Sequence, residues 1–363
     1  MSGPVLFVTN GHGEASIAAR IAHDLRALAP LRTDHLALVG ERFGGGDFAD
    51  VGPQRAMPSG GLVAMGNVRA FARDLGAGWL GLFLAQLRFL RAAGARYAAV
   101  VAVGDAYAAA LVRLTRRPWI FVGTAKSEYV APYGLVERAI ITAATRIFVR
   151  DAVTADALRR HGVRAEAPGN VIADLPVEDG RYAWPGPVRI ALLPGSRERA
   201  YADAGRILEI ADRVAARVPG VAAVLSLAPA LDPARFAPLF ERYPHLGAWT
   251  GGIGGILAGA TLAIGQAGTA NEAAAACGVP VVALELDGDR RGGWYRMRQE
   301  RLLADAMLVV PGDPAAATDA IVTLLNDPAR LARMGAAGRE RMGPAGGAAA
   351  IARAIAGVAA AGA

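Results

Sequence analysis

The stretch GQAGTANEAAAACGVPVVAL, residues 265–284, does most to decide the fold of this chain. A loop of small residues follows an apolar run, and an alanine-rich helix is predicted over residues 270–277, before a second buried strand. A helix N-terminus offers unpaired N–H groups and a partial positive charge, and a loop of small residues lets a phosphate approach them. Glu272, in the first turn, is too close to be a phosphate ligand but can accept hydrogen bonds from a ribose diol. The stretch therefore predicts a site for a nucleoside diphosphate, with Gly268 and Thr269 at the phosphates.

A second stretch, VRIALLPGSRERA at residues 188–200, predicts the same kind of site. Its strand is followed by Gly195, which permits a tight turn, by the hydroxyl of Ser196, and by Arg197, whose planar guanidinium suits phosphate oxygens. Alone, the PGSR sequence is a weak signal, and Arg197 could equally be a surface arginine. Because both stretches follow strands, both loops should open at the carboxyl edge of one parallel sheet, where open α/β sheets bind nucleotides.

The remaining chain alternates apolar strand-like runs with amphipathic helical segments, which predicts parallel sheets covered by helices on both faces. A length of 363 residues suits two domains, predicted over residues 1–175 and 188–345, with a polar, irregular linker between them. The predicted strands are residues 5–9, 36–39, 98–103, 119–122, 146–149, 190–193, 221–227, 261–264, 281–284 and 307–310.

Composition argues against several classes of protein. The net charge is +7, but Lys126 is the only lysine, and so strong an arginine bias fits a GC-rich genome better than a nucleic-acid surface. No nucleic-acid-binding motif is present. The single cysteine, Cys277, excludes a disulfide framework. No signal peptide or transmembrane helix is expected, so the sequence predicts a cytoplasmic protein, with membrane contact left open.

Two loops in the first half carry residues suited to proton transfer. Asn10-Gly11-His12-Gly13-Glu14 follows the first strand, and His12 could be a general base or only part of a glycine-rich turn that caps a helix. Asp105 follows another apolar strand, where it could be the base, charge His12 as its partner, or simply N-cap the next helix. The loop is not a GxGxxG fingerprint, so a nicotinamide cofactor is not expected.

These motifs together resemble the lipid-A-disaccharide synthases, and more closely the lipid-A-disaccharide synthase-related proteins. The resemblance covers nearly the whole chain and includes both phosphate-loop motifs. The other matching segments are VLFVTNGHGEASIAARI (5–21), PSGGLVAMG (58–66), VGTAKSEY (122–129), Arg150-Asp151 and GNVIADL (169–175). One departure is clear: the true synthases open with a GExSGD-like loop where this chain has NGHGE. Fold and donor class therefore carry over better than the acceptor.

The resemblance implies a GT-B fold, with two Rossmann-like domains facing across a cleft and a C-terminal helix, residues 346–361, packed back on the first domain. It implies transfer of a GlcNAc-type sugar from a UDP-sugar to a lipid-linked acceptor, with inversion, at the inner leaflet of the cytoplasmic membrane. The essential aspartate of the synthases points to Asp105 here, and Glu14 is the remaining candidate base. Charge from the helix dipole and Arg197 would replace a metal, so neither metal nor cofactor is expected.

Further features have weaker support. Lys126 could contact a donor phosphate or an acceptor headgroup, and Gln299, on a predicted helix over residues 295–304, could contact the donor sugar. Residues 79–90 form an apolar helix flanked by arginines, typical of a core helix or of one that lies on a membrane. Two alternatives to a transferase remain: a nucleotide-sugar 2-epimerase-type isomerase, and a non-catalytic, membrane-apposed binding protein.

Overall fold

The computed structural model describes residues 3–40, 47–55, 73–176, 180–196, 198–228, 231–266, 268–285 and 290–361, apart from the side chains of residues 12 and 290–295. The chain divides into two compact units. Unit 1 comprises Met1–Asp174 and Ala345–Ala363, and unit 2 comprises Leu175–Pro344. The polar segment predicted as the linker begins unit 2.

Unit 1 is built on a seven-stranded, wholly parallel sheet in the order β3-β2-β1-β4-β5-β6-β7. Its strands are β1 (Val5–Thr9), β2 (Thr33–Ala37), β3 (Ala49–Asp50), β4 (Ala99–Gly104), β5 (Trp119–Gly123), β6 (Arg146–Val149) and β7 (Ala165–Glu166). The central strands are fully buried, as their continuous apolar sequences predict. Chain order reverses between β1 and β4, so the loops after these two strands border a crevice at the carboxyl edge of the sheet.

Helices alternate with these strands and are the reason that both faces of the sheet are apolar. They are α1 (His12–Leu28), α2 (Trp79–Ala93), α3 (Ala106–Val112), α4 (Leu135–Ile141), α5 (Ala152–Arg160) and α6 (Val171–Asp174). Two begin at aspartate N-caps: the carboxylate of Asp105 accepts from the first amides of α3, and that of Asp151 from an amide of α5. Helix α1 begins at His12, with Gly11 as its N-cap residue.

Unit 2 repeats this plan with a six-stranded parallel sheet in the order β10-β9-β8-β11-β12-β13. Its strands are β8 (Val188–Leu193), β9 (Val221–Ser226), β10 (Gly247–Trp249), β11 (Leu262–Gly265), β12 (Val281–Glu285) and β13 (Met307–Pro311). Its helices are α7 (Arg199–Arg217), α8 (Ala237–Arg242), α9 (Ile253–Leu257), α10 (Thr269–Ala276), α11 (Arg290–Leu303), α12 (Pro314–Leu325) and α13 (Pro328–Met342). Here the order reverses between β8 and β11.

The last helix, α14 (Gly347–Ala361), belongs to unit 1 and packs against α1. The carboxylate of Asp174 fixes its start by accepting hydrogen bonds from the amides of Gly346 (2.5 Å) and Ala348 (2.7 Å).

One helical stretch, Pro328–Ala361, is long and apolar enough to cross a membrane by length and composition, although the sequence analysis expected no such helix. This is weak support for a membrane span, because core helices of soluble proteins have the same composition. The stretch is also interrupted: Gly343 and Gly346 have φ values of 77° and 100°, and the residues between α13 and α14 are not helical.

The predicted fold class is confirmed, and all ten predicted strands are present with ends shifted by at most a few residues. The largest shift is in β2, which begins at Thr33 rather than at residue 36 because polar Thr33, Asp34 and His35 are buried in it. Three strands were missed, namely β3, β7 and β10. Each has two or three residues and adds to the edge of a sheet, so none carries a period of its own.

A buried polar row crosses the first three strands of unit 1. Thr9 Oγ1 lies 2.9 Å from His35 Nε2, and His35 Nδ1 lies 2.7 Å from Asp50 Oδ1. An ionised carboxylate only accepts, so Nδ1 carries the proton and Nε2 accepts from the threonine hydroxyl. The row ends at the last residue of β1, directly before the loop that contains His12.

This row makes the stability of unit 1 depend on pH. Burial lowers the pKa of His35 below its usual 6.5, although Asp50 opposes the shift. Below pH 6.5 the unfolded chain binds this proton before the folded chain does, so stability falls as the pH drops from 6.5 towards the folded pKa. We expect His35→Gln to reduce the pH slope of the unfolding free energy by up to about 1.4 kcal/mol per pH unit in that window. Urea titrations at pH 5.0–8.0 measure the slope; identical slopes below pH 6.5 would contradict the prediction, while above pH 7.5 the slopes should coincide.

Candidate functional site

The two phosphate-loop motifs of unit 2 leave its sheet side by side. Leu193, the last residue of β8, is paired in register with Gly265, the last residue of β11. Residues 194–196 and the segment from Gln266 to Gly268 therefore start at the same carboxyl edge, at the point where strand order reverses. Gly195 and Ser196 are partly exposed there. Arg197 lies outside the described residues.

The second of these loops ends in an open helix N-terminus. Gly268 is the N-cap residue of α10, and its φ of 97° lies in the left-handed region that favours glycine. Its carbonyl accepts from the amides of Asn271 (3.1 Å) and Glu272 (3.4 Å). The amides of Thr269 and of the residue after it come before the first intrahelical bond, so they are available to an anion. Glu272 lies in this first turn, partly exposed.

Gln299 is placed differently from the sequence-based expectation of a contact with the donor sugar. Its side chain, on α11, is only 6% exposed. Nε2 donates to the carbonyl oxygen of Gly268 (2.8 Å), and Oε1 accepts from Nδ2 of Asn271 (3.0 Å). The amide is thus engaged with the loop itself. Asn271, fully buried, was not singled out from the sequence, although it is the only amide within the alanine-rich helix.

The segment beginning at Trp249, considered from the sequence as a reader of a uracil ring, is held by aromatic packing. Trp249 donates its indole N–H to the carbonyl of Gly252 (2.8 Å), and its ring meets Tyr182 edge-on at 5.8 Å. Tyr182 in turn donates its backbone N–H to Gly255 (3.0 Å). Trp249 therefore packs the start of unit 2 against β10 and α9.

In unit 1, the loops after β1 and β4 are joined by a hydrogen bond. Thr9 is paired in register with Val103, and just beyond them Nδ2 of Asn10 donates to Oδ2 of Asp105 (2.9 Å). Asp105 Oδ1 accepts from the amides of Tyr107 (3.0 Å) and Ala108 (3.2 Å). Asp105 is thus an N-cap and also lies partly exposed at the switch point of the sheet.

Glu14 belongs to the same cluster. An ideal Cβ on Gly11 would lie 2.5 Å from its Oε2, and one on Gly104 would lie 3.2 Å from its Cγ, so the Glu14 side chain lies against both loops. The backbone of His12 starts α1 beside it, and the side chain of His12 lies outside the description. Burial, reinforced by the charge of Asp105, raises the pKa of Tyr107 to about 12, so its phenol stays protonated at neutral pH.

Lys126 is engaged by its own loop. Its Nζ lies 2.6 Å from Oε2 of Glu137 and 3.2 Å from the carbonyl of Pro132, and it stands 5.7 Å from the ring centre of Tyr133. Glu137 also accepts from the amide of Gly134 (2.7 Å). In this arrangement the ammonium fixes the segment before α4, rather than standing ready for a phosphate.

Metal-ligating side chains are dispersed in the described part of the chain: no group of three or more histidine, cysteine, aspartate or glutamate side chains could hold an ion there.

The described fold is similar to those of several solved enzymes over almost their whole lengths. The calicheamicin glycosyltransferase CalG4 superposes with a TM-score of 0.66 at 17% identity, with 98% of each chain covered. MurG from Acinetobacter baumannii gives 0.58 at 16% identity, covering 98% of this chain and 99% of that one. UDP-GlcNAc 2-epimerase from Neisseria meningitidis, bound to UDP-GlcNAc, gives 0.56 at 14% identity, with 98% and 99% covered.

This chain has the GT-B fold. Identities this low show the fold alone, and the GT-B fold is shared here by glycosyltransferases and epimerases. No family model matches the chain, and no curated protein matches it. The likeness to lipid-A-disaccharide synthases therefore rests on the sequence motifs.

Proposed function

We propose that this GT-B protein is a glycosyltransferase that moves a sugar, of the GlcNAc type, from a UDP-sugar to a lipid-linked acceptor with inversion. The observation that carries the proposal is the pairing of two phosphate loops at the carboxyl edge of the unit 2 sheet, one of which opens a helix N-terminus at Thr269. The α10 dipole, Ser196 and Arg197 would stabilise the departing diphosphate. Glu272 would hold the ribose.

The reaction needs a base for the acceptor hydroxyl. That proton passes to Asp105 or to His12, the acceptor oxygen forms a bond to the anomeric carbon, and the bond from that carbon to the UDP oxygen breaks. Support for Asp105 is its position at the switch point of unit 1, held by Asn10 and by the first turn of α3. Glu14, against the same loops, is the remaining candidate.

A lipid-linked acceptor is proposed because the motifs resemble lipid-A-disaccharide synthases and because α2 has an unpartnered apolar side. Leu80 and Leu84 are 53% and 41% exposed, and Arg88 and Arg91 on the same helix are exposed as well. Exposed leucines beside arginines suit a surface of anionic lipid. The protein would then act in the cytoplasm, peripherally at the inner leaflet.

A nucleotide-sugar 2-epimerase is the second candidate, because the epimerase from N. meningitidis has the same fold and binds UDP-GlcNAc. Epimerisation at C2 requires the C2–H bond to break and a solvent proton to replace that hydrogen, without an acceptor. A transferase instead breaks the anomeric C–O bond and releases UDP when an acceptor is present.

One experiment separates the candidates: the full-length protein is incubated with UDP-GlcNAc in D₂O, with and without a lipid extract. We expect UDP release only with lipid and no deuterium at C2, as followed by NMR and mass spectrometry. Deuterium at C2 without lipid would establish the epimerase instead. UDP binding without turnover under any condition would indicate a binding protein, and calorimetry showing no binding of UDP would remove the donor assignment.

A further inference from the structure

The amide pair Asn271–Gln299 lies directly behind the phosphate-binding turn of unit 2. The two side chains are 28 residues apart and are both buried, at 0% and 6% exposure. Their mutual hydrogen bond (3.0 Å) leaves Nε2 of Gln299 for the carbonyl of Gly268 (2.8 Å). The pair therefore links α11 to the N-cap of α10 through side chains that solvent does not reach.

This contact also fixes a group that faces the other way. The Gly268–Thr269 peptide is trans, so its C=O and N–H point in opposite directions. When Gln299 holds the Gly268 oxygen on the protein side, the Thr269 N–H is held pointing away from α11. That amide is the first donor of the α10 N-terminus and has no intrahelical acceptor.

The loop carries buried polar atoms that its own residues do not satisfy. Among the described residues, Oδ1 of Asn271 and Nε2 of Gln266 are buried without a hydrogen-bond partner. An unsatisfied buried polar group costs about 1–3 kcal/mol, and such costs are commonly retained where function needs a fixed geometry.

We propose that Asn271 and Gln299 are positioning residues that fix the Gly268–Thr269 peptide with its N–H presented to the diphosphate of the donor. The inference rests on the proposed function for its ligand, a nucleoside diphosphate. It replaces the direct sugar contact expected for Gln299, because an amide that is buried and bonded at both ends acts on the ligand through the peptide it holds.

The test is Gln299→Leu, which keeps the approximate size of the side chain and removes both polar ends. Three ligands are compared by calorimetry or ligand-observed NMR: uridine, UDP and UDP-GlcNAc. Loss of the peptide orientation should raise the Kd of UDP and of UDP-GlcNAc equally, by about tenfold, and change that of uridine less than twofold. A direct sugar contact would instead weaken UDP-GlcNAc alone, and a general loss of folding would weaken all three; either result overturns the proposal.

The chain offers a matched control in Gln86→Leu. Gln86, on α2 of unit 1, is also buried, at 1% exposure, and its Nε2 donates to the backbone carbonyl of Leu38 (2.9 Å). We expect Gln86→Leu to lower stability but leave all three Kd values unchanged. Asn271→Ala, which frees Gln299 without altering α11, should show the pattern of Gln299→Leu at smaller size, so the test survives if Gln299→Leu fails to fold.

A readout without ligand separates this inference from the proposed function. The amides of Asn271 and Glu272 bond to the Gly268 oxygen, so Gln299→Leu should speed their hydrogen exchange while Gln86→Leu does not. If the unchanged protein binds no UDP, the proposed function fails, and faster exchange in Gln299→Leu still supports the positioning role. Unchanged exchange in a folded Gln299→Leu protein overturns the inference, whatever the protein binds.

Discussion

Replacing Asp105 by Asn should lower turnover by about a thousandfold, since general acid–base catalysis is typically worth 10²–10⁴. The rate is that of whichever reaction UDP-GlcNAc undergoes. The substitution keeps the shape of the side chain, and its remaining oxygen can still accept from the amides of Tyr107 and Ala108. It removes the negative charge and turns an NH₂ group towards Nδ2 of Asn10, where two donors then meet. UDP affinity should be unchanged, because both phosphate loops lie in unit 2.

Asp151→Asn is the matched control, because Asp151 also follows a parallel strand of unit 1 and N-caps its helix by accepting from Thr154 N (2.8 Å). If capping were the whole role of Asp105, the two variants would lose similar stability and neither would lose turnover. We expect Asp151→Asn to keep turnover within threefold. A fully active Asp105→Asn enzyme would exclude Asp105 as a base or partner and leave Glu14.

The pH dependence then distinguishes the two bases. If His12 is the base and Asp105 its partner, turnover falls as the pH drops through about 6.5, the usual pKa of histidine. His12→Ala would then be about as damaging as Asp105→Asn, and the double variant hardly worse than either. If Asp105 acts alone, activity persists below that pH and His12→Ala is mild.

The sequence predicted those parts of the fold that depend on single segments. Strands such as β4 and β8 are continuous apolar runs because both faces of a parallel sheet are buried, so each can be recognised alone. Strand β3 has only two residues, Ala49–Asp50, and exists because β2 is next to it. Its pairing depends on tertiary structure, which no local pattern encodes.

The candidate sites divide in the same way. The loops at Gly195 and Gly268 could be assigned to one sheet edge because carboxyl ends of parallel strands meet there, and the structure places them on neighbouring strands. The hydrogen bonds from Gln299 to Asn271 and from Asn10 to Asp105 join residues 28 and 95 positions apart. Such contacts follow from packing alone, which is why Gln299 was expected at the sugar and Asn271 was overlooked.

Gly265→Ala should destabilise unit 2 and weaken UDP binding together. An ideal Cβ at this position would lie 1.9 Å from Oδ1 of Asn271 and 3.3 Å from Cβ of Leu193. Because Asn271 is fully buried, its carboxamide cannot turn into solvent to make room. We expect a loss of about 2 kcal/mol in unfolding free energy, within the usual range for overpacking. UDP affinity should fall more than tenfold, since a displaced Asn271 releases Gln299 from the Gly268 carbonyl.

The control is Gly205→Ala in helix α7 of the same unit, where the new Cβ would make an ordinary contact, 3.7 Å from Cδ2 of Leu239. It should gain up to about 1 kcal/mol from helix propensity and leave UDP binding unchanged. The double variant Gly265→Ala/Asn271→Ala removes the obstacle along with the clash. Its stability should exceed the sum of the two single losses by about 1–2 kcal/mol, while its affinity for UDP stays low. Chemical denaturation and calorimetry measure both quantities, and strictly additive stabilities would show that Gly265 is glycine for a reason other than the approach of Asn271.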